Sequence, residues 1–276
     1  MQGITEYKTP QGVHVLRIHY TADPDKQSPE WVAEQKKGLT QAQWEREYEI
    51  NFHVYPGKPW YEEFRMDFHV AREPIQPIPG RPIFRGWDYG QTFNPAVVFC
   101  QTTVFGQLLL LYPEINGLNS GLHPFARTVK SESGTYFPEN PFIDYGDPAG
   151  NNRSPNDERS ATDILRTDYG ITVLPGPVAF GTRSEAIRKL LTTTTPQGQA
   201  MLLIDPRCTF MIGAFTGGYH RKQLASGQLL EEPDKNEYSH PMDSLGYVAA
   251  SVFKSAGKGT STEVITNHNP FKRGRR

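Results

Sequence analysis

The sequence predicts an α/β chain: a mixed sheet with helices on both of its faces. Three observations carry this. Strand-like runs follow one another over 83–89, 96–103 and 106–115; helix-like and strand-like runs alternate after them; and an apolar helical run over 242–253 closes the pattern.

Taken in order, residues 13–20 (VHVLRIHY) alternate apolar and polar with period two and predict a half-buried strand. Two short helices should follow. Ser28-Pro29-Glu30-Trp31 offers a cap and a first-turn proline, and Thr40-Gln41-Ala42-Gln43 has capping-box form. Trp44, Tyr48 and Phe52 recur every four residues, which places them on one helical face. Trp31, Trp44 and Trp60 are read as core of this segment rather than as a base-stacking surface.

Residues 74–82 carry four prolines and Gly80, which neither a helix nor a central strand propagates, so a boundary is expected there. The three strands after it form a meander. Residues 141–145 predict a fourth strand, Ser160-Ala161-Thr162-Asp163 opens a helix to Asp168, and 171–174 is a fifth strand. Thr182-Arg183-Ser184-Glu185 has capping-box form ahead of Ala186, Ile187, Leu190 and Leu191 at helical spacing; 200–204 is one more strand. In the closing helix Leu245, Val248, Ala249 and Val252 share a face. The expected organisation is therefore a connecting segment over 1-80, a main domain over 81-258, and a basic tail over 259-276 that should be disordered.

Composition narrows function mostly by exclusion. Twenty-nine Lys and Arg against 30 Asp and Glu leave a net charge of -1, so the chain as a whole has no electrostatic reason to bind a polyanion, and any such affinity needs a local patch. Cys100 and Cys208 are too few for a disulfide framework or a thiolate zinc site. No apolar run approaches the roughly 18 residues of a spanning helix, and no basic-then-apolar leader follows Met1. A soluble intracellular protein with no membrane partner is the expectation.

Three acidic residues stand out together. Asp88 ends the first strand of the meander in Trp87-Asp88-Tyr89-Gly90, Asp147 sits just past the fourth strand, and Asp243 lies in the closing helix. An Asp beside a glycine at a strand end is more often a turn former than a catalyst. As a set, three carboxylates offer the oxygen ligands that Mg²⁺ and Mn²⁺ prefer. His240, three residues before Asp243, would share its helical face if the helix already runs there, as a ligand or as a group behind a ligand; capping the helix or facing solvent is the plainer role.

The ordered set Trp87-Asp88-Tyr89-Gly90, Tyr145-Gly146-Asp147-Pro148-Ala149-Gly150, Leu203-Ile204-Asp205-Pro206-Arg207-Cys208 leading to Gly217-Gly218-Tyr219, and His240-Pro241-Met242-Asp243-Ser244-Leu245-Gly246-Tyr247 resembles the nuclease half of the large terminase subunit of tailed double-stranded DNA phages. The resemblance begins near Leu16 and ends near Ala256. It implies an RNase H-like fold and a metal-dependent endonuclease that cuts concatemeric phage DNA during packaging, using two Mg²⁺ or Mn²⁺ ions. Carried over by position, Asp88 would bridge the ions, Asp147 would hold one, and Asp243 would hold the other and orient the attacking water. Asp144 competes with Asp147, but Asp147 matches the family's Asp-Pro-Ala element. Asp205 is read as a turn former with Pro206.

Arg207, His220, Arg221 and Lys222 surround the Gly217-Gly218-Tyr219 element, and the resemblance makes them candidates for holding the DNA backbone. The phosphate-binding loop G-x-x-x-x-G-K-[ST] does not occur, since Gly257-Lys258-Gly259-Thr260 lacks its upstream glycine. No ATPase activity is expected from this chain; a separate ATPase domain or chain, the portal protein and the small terminase subunit are the implied partners, at the procapsid in the host cytoplasm. A junction resolvase or transposase-like nuclease would use a similar carboxylate set, and a non-catalytic docking module of the motor would keep it as a relic.

Overall fold

The computed structural model of the chain describes residues 3–8, 12, 14–38, 44, 47–50, 58–90, 94–154, 157–224 and 226–253. Two compact units result, one from residues 1–62 with 213–234 and the other from residues 63–212 with 235–276. The expected helix start at Thr40, Phe52 and the basic tail over 259-276 lie outside the described residues. The partition at residue 80 read from the sequence remains a proposal.

In the first unit, β1 (Ile4–Lys8) and β2 (His14–Ile18) pair antiparallel. The expected half-buried strand is instead exposed at all but Val15, because a two-stranded ribbon has no second layer of its own to cover a face. Helix α1 (Pro29–Gln35) starts as expected, with the Ser28 hydroxyl accepting from the Trp31 amide. Trp44 and Trp60 are buried and Trp31 is half-buried.

The second unit opens with α2 (Met66–His69) and holds a six-stranded sheet. Strands β3 (Ile83–Asp88), β4 (Ala96–Thr102) and β5 (Leu108–Asn116) form the antiparallel meander. Helix α3 (Leu122–Tyr136) crosses to β6 (Phe142–Gly146), which pairs parallel with β3. The short hairpin β7 (Arg153–Ser154) and β8 (Asp157–Ser160) leads to α4 (Ala161–Tyr169), and β9 (Val173–Pro175) pairs parallel with β6. Helix α5 (Phe180–Thr192) then leads to β10 (Leu202–Ile204), parallel to β5 at the other edge. The sheet order is β10-β5-β4-β3-β6-β9. An antiparallel meander whose first strand is flanked by later parallel strands is the RNase H-like arrangement. Helix α6 (Thr209–Gly213) leads into the first unit's hairpin β11 (Arg221–Gln223) and β12 (Leu229–Pro233), and α7 (Ser239–Val252) closes the chain against β3, β4, β6 and α5.

Every residue of β4 is buried and β3 is buried at all but Phe84, as expected of central strands covered on both faces. The core on one side gathers Trp87, Val97, Phe99, Leu111, Phe125, Val129, Phe137 and Leu165. Helix α3 has no counterpart among the elements expected from the sequence: its Pro124, Gly134, serines and threonines give weak intrinsic propensity, yet Phe125, Ala126, Val129 and Ser133 bury one helical stripe, so packing decides. One expected start needs correction. Helix α5 begins at Phe180 rather than at the Thr182 box, and no side chain caps it.

One contact places the site. Gly86 in β3 lies directly under α7: a Cβ there would sit 2.0 Å from the Ser244 carbonyl oxygen, so only glycine admits this approach. The Ser244 hydroxyl donates to the Ala96 carbonyl at 3.1 Å. The first turns of α7 are thereby held across β3 and β4, at the end of the sheet where Asp88 emerges.

Candidate metal and catalytic site

Asp88, the last residue of β3, is 6 % exposed. Its Oδ1 accepts the Gly90 amide at 3.0 Å and faces Nδ1 of His240, in the first turn of α7, at 2.9 Å. Asp147 follows β6, and its Oδ1 accepts the Ala149 amide at 2.9 Å, capping the turn Pro148–Asn151. Asp243, one turn after His240, takes a hydrogen bond on Oδ1 from Nη2 of Arg183 at 2.9 Å. Burial raises the pKa of the Tyr247 hydroxyl; the Arg183 cation opposes the rise, and the charges of Asp147, Asp88 and Asp243 add to it. Tyr89, next in chain to Asp88, is raised in the same way, by burial first and then by Asp144, Asp147 and Asp88; its buried hydroxyl has no hydrogen-bond partner among the described residues.

Burial also pushes the Asp243 carboxyl above its ordinary range; Arg183 pulls it back and the nearby Asp88 adds to the rise. The carboxylate of Asp88 draws the His240 imidazole upward by their hydrogen bond, against the effect of burial. Arg183 and His240 are the hydrogen-bond partners set against these carboxylates.

Among the described residues no three His, Cys, Asp or Glu side chains lie close enough together to hold a metal ion. The donors nonetheless fit a hard divalent ion in kind. They are carboxylates, and in each of Asp88, Asp147 and Asp243 the internal hydrogen bonds fall on Oδ1, leaving Oδ2 with no bond to a described residue.

Asp144 is differently placed. It is 5 % exposed and accepts Nε and Nη2 of Arg85 at 2.6 and 2.8 Å and Nε1 of Trp87 at 2.6 Å, which commits both oxygens to the sheet. Asp205 is fully buried and holds the amides of Ile75 and Arg207. Arg207 is paired with Asp205 at 2.7 Å, while on the hairpin Arg221 is paired with Glu231 at 2.7 Å and Lys222 with Glu232 at 3.2 Å. Each candidate DNA-binding cation therefore already has an acidic partner. Arg183 escapes sequence reading because its capping-box context makes it an ordinary first-turn helix residue. Gly86 escapes it too, although a lone glycine inside a strand pattern is a sign of close backbone approach.

The fold defines an RNase H-like α/β unit, with Asp88 at the end of strand β3. No family model and no curated protein matches the sequence. Among solved structures, the chain is similar to the large terminase of the thermophilic bacteriophage D6E in complex with ADP, at 16% identity and a TM-score of 0.54 over 85% of this chain and 54% of that one. The nuclease domain of g2p, the large terminase of bacteriophage SPP1, solved with bound Mn, aligns at 15% identity and a TM-score of 0.47 over 69% of this chain and 97% of that one. The chain shares its fold with part of the D6E large terminase and spans about half the length of that protein.

Proposed function

We propose that this chain is a divalent-metal-dependent endonuclease that cuts concatemeric double-stranded phage DNA during genome packaging. What supports the reading is that Asp88 ends a central strand, Asp147 caps the turn after the neighbouring strand and Asp243 lies on the covering helix, each with one carboxylate oxygen held by a neighbour. The D6E likeness supports the fold beneath it.

Phosphodiester hydrolysis adds water across one P–O bond and leaves a phosphate monoester and an alcohol. A carboxylate cluster alone repels the anionic substrate, so it needs cations. Asp88, Asp147 and Asp243 are the residues that would hold two Mg²⁺ or Mn²⁺ ions. When bound, such ions lower the pKa of water and stabilise the leaving oxygen. The chain's own groups supply orientation. His240 and the Gly90 amide fix Oδ1 of Asp88, the Ala149 amide fixes Asp147, and Arg183 fixes Asp243. Arg207, Arg221 and Lys222 are proposed to hold phosphates after exchanging their carboxylate partners. The portal protein, the small terminase subunit and a separate ATPase are the proposed partners, in the host cytoplasm.

The test is plasmid cleavage by the purified chain with Mn²⁺ or Mg²⁺. Cleavage that needs the ion, stops with chelator, ignores ATP and is lost in Asp147→Asn supports the reading. Activity unchanged in that variant defeats it.

A further inference from the structure

We infer that the exposed face of helix α3 is a contact surface for duplex DNA, on which Arg127 and Lys130 hold the phosphate backbone, an inference that rests on the proposed nuclease reading. The helix has two unlike sides. Phe125, Ala126, Val129 and Ser133 are buried, whereas His123, Arg127, Lys130, Ser131 and Gly134 are exposed. Arg127 and Lys130 are three residues apart and so are neighbours on the helix surface, with Ser131 four beyond Arg127 and Gly134 four beyond Lys130. Glu132 is the one acidic residue of α3; it is half-buried, and at two and five residues from the cations it faces neither. A Cβ on Gly134 would meet nothing within 4 Å, so this part of the face is open.

The charges on the face are not neutralised. Among the described residues neither Arg127 nor Lys130 has an acidic partner. The Lys130 ammonium donates to the Tyr169 carbonyl at 3.2 Å, which leaves its charge and two further donors. The Ser131 hydroxyl makes no hydrogen bond to a described residue. Cationic and hydroxyl side chains without an acid among them suit a polyanion, since they bind phosphate oxygens without reading base sequence. Arg207, Arg221 and Lys222 must each leave a carboxylate first.

Position ties the face to the end of the sheet where Asp88 emerges. Asn116 at the end of β5 pairs with Ala96, which pairs with Asp88. The loop from β5 to α3 is fastened there by the Gly117 amide on the Pro95 carbonyl at 2.7 Å and the Asn119 amide on Oδ1 of Asn94 at 3.1 Å. Phe125 then meets Trp87, the strand neighbour of Asp88, with ring centres 6.1 Å apart. Side chains alternate across a strand, and Gly86 lies under α7, so Trp87 and α3 belong to the other face of the sheet. A duplex lying across this end of the sheet reaches the first turns of α3.

The experiment is binding of a short fluorescent DNA duplex of arbitrary sequence to the purified full chain, followed by anisotropy at several salt concentrations. Chelator is present so that no ion-dependent cut is made. Arg127→Ala with Lys130→Ala should weaken binding and reduce the salt slope by roughly 1.8, about 0.9 for each phosphate no longer neutralised. Both positions are exposed and alanine is the best helix former, so the fold is retained, which far-ultraviolet circular dichroism checks. Lys8→Ala with Lys37→Ala removes the same charge from exposed positions in the first unit and should keep the parent's slope. A folded α3 variant with the parent's slope and affinity overturns the inference and leaves the nuclease reading in place; so does an equal fall in the Lys8 and Lys37 variant. A parent that binds no duplex at any salt overturns the nuclease reading and this inference with it.

Discussion

Arg85 and Asp144 face each other across the parallel pair β3 and β6 and share a two-pronged ion pair of 2.6 and 2.8 Å, buried on both sides. The indole of Trp87 donates to the same carboxylate. The acidic residue nearest in sequence to Asp147 is thereby committed to the sheet.

Asp144→Asn should accordingly be a stability variant. Removing one partner of a buried pair leaves the other charge uncompensated and costs about 3 to 5 kcal/mol. Denaturant unfolding should show that loss, while cleavage per folded molecule stays within about tenfold of the parent, or roughly 1.4 kcal/mol in barrier. An equally stable but inactive Asp144→Asn would move the second carboxylate of the site to this residue.

Asp147→Asn is the cleanest test of the acidic set. Asn caps a turn about as well as Asp, so the bond to the Ala149 amide survives and stability should change by less than about 1 kcal/mol. Loss of a metal-ligand charge should slow cleavage by roughly a hundredfold or more, equivalent to about 3 kcal/mol. Asp88→Asn should be as inactive. Asp243→Asn should also be inactive but less stable, because it strips the buried Arg183 of its counter-charge. Single-turnover cleavage beside a melting curve separates these cases.

Glu114 should give the fold a pH dependence near neutrality. It extends from β5 to accept the amides of Phe210 and Met211 at 2.6 and 2.9 Å, and burial pushes its carboxyl up to about 7, with the two amides opposing. A folded-state value above the unfolded one means that its contribution is fully present below about pH 4.5 and is lost as pH rises through about 7. The full excursion is on the order of 3 kcal/mol. Denaturant midpoints measured from pH 5 to 8 should fall with pH in the parent and run flatter in Glu114→Gln. Parallel curves would contradict the assignment.

Gly86→Ala should separate α7 from the sheet. The new methyl would need space already held by the Ser244 carbonyl, and overpacking of this kind costs about 1 to 3 kcal/mol. Because the displaced turn carries Asp243, cleavage should fall further than stability alone explains. A variant with parental activity would show that the helix position is not what aligns the carboxylates.

On the hairpin, Glu231→Gln with Glu232→Gln should strengthen duplex binding by freeing Arg221 and Lys222. Arg221→Ala with Lys222→Ala should weaken it and reduce the salt slope by close to two units, since each phosphate that is no longer neutralised removes roughly 0.9. Binding isotherms at several salt concentrations decide. Slopes equal to the parent's would show that the hairpin does not touch DNA.

Much of this fold was legible in one dimension. Strands announce themselves by composition and by the turns between them, so the meander over 83–115 and the later strands could be placed from sequence, as could the closing helix. Helix α3 could not, because its residues form helix only once Phe125 and Val129 have a sheet to pack on. The same division runs through the site. Asp88, Asp147 and Asp243 were recognisable as candidates from their places at a strand end, after a strand and on the last helix. His240 was a candidate too, from its place three residues before Asp243, but the pairings were not legible: Arg183 lies 60 residues from Asp243 and His240 lies 152 from Asp88, and no local pattern links groups so far apart in the chain. What the sequence by itself determined was the order of the elements and which carboxylates leave them. What only the tertiary structure decided was which charge faces which, because ion pairs and helix-on-strand contacts form between faces whose neighbours are chosen by packing, as Gly86 under Ser244 illustrates.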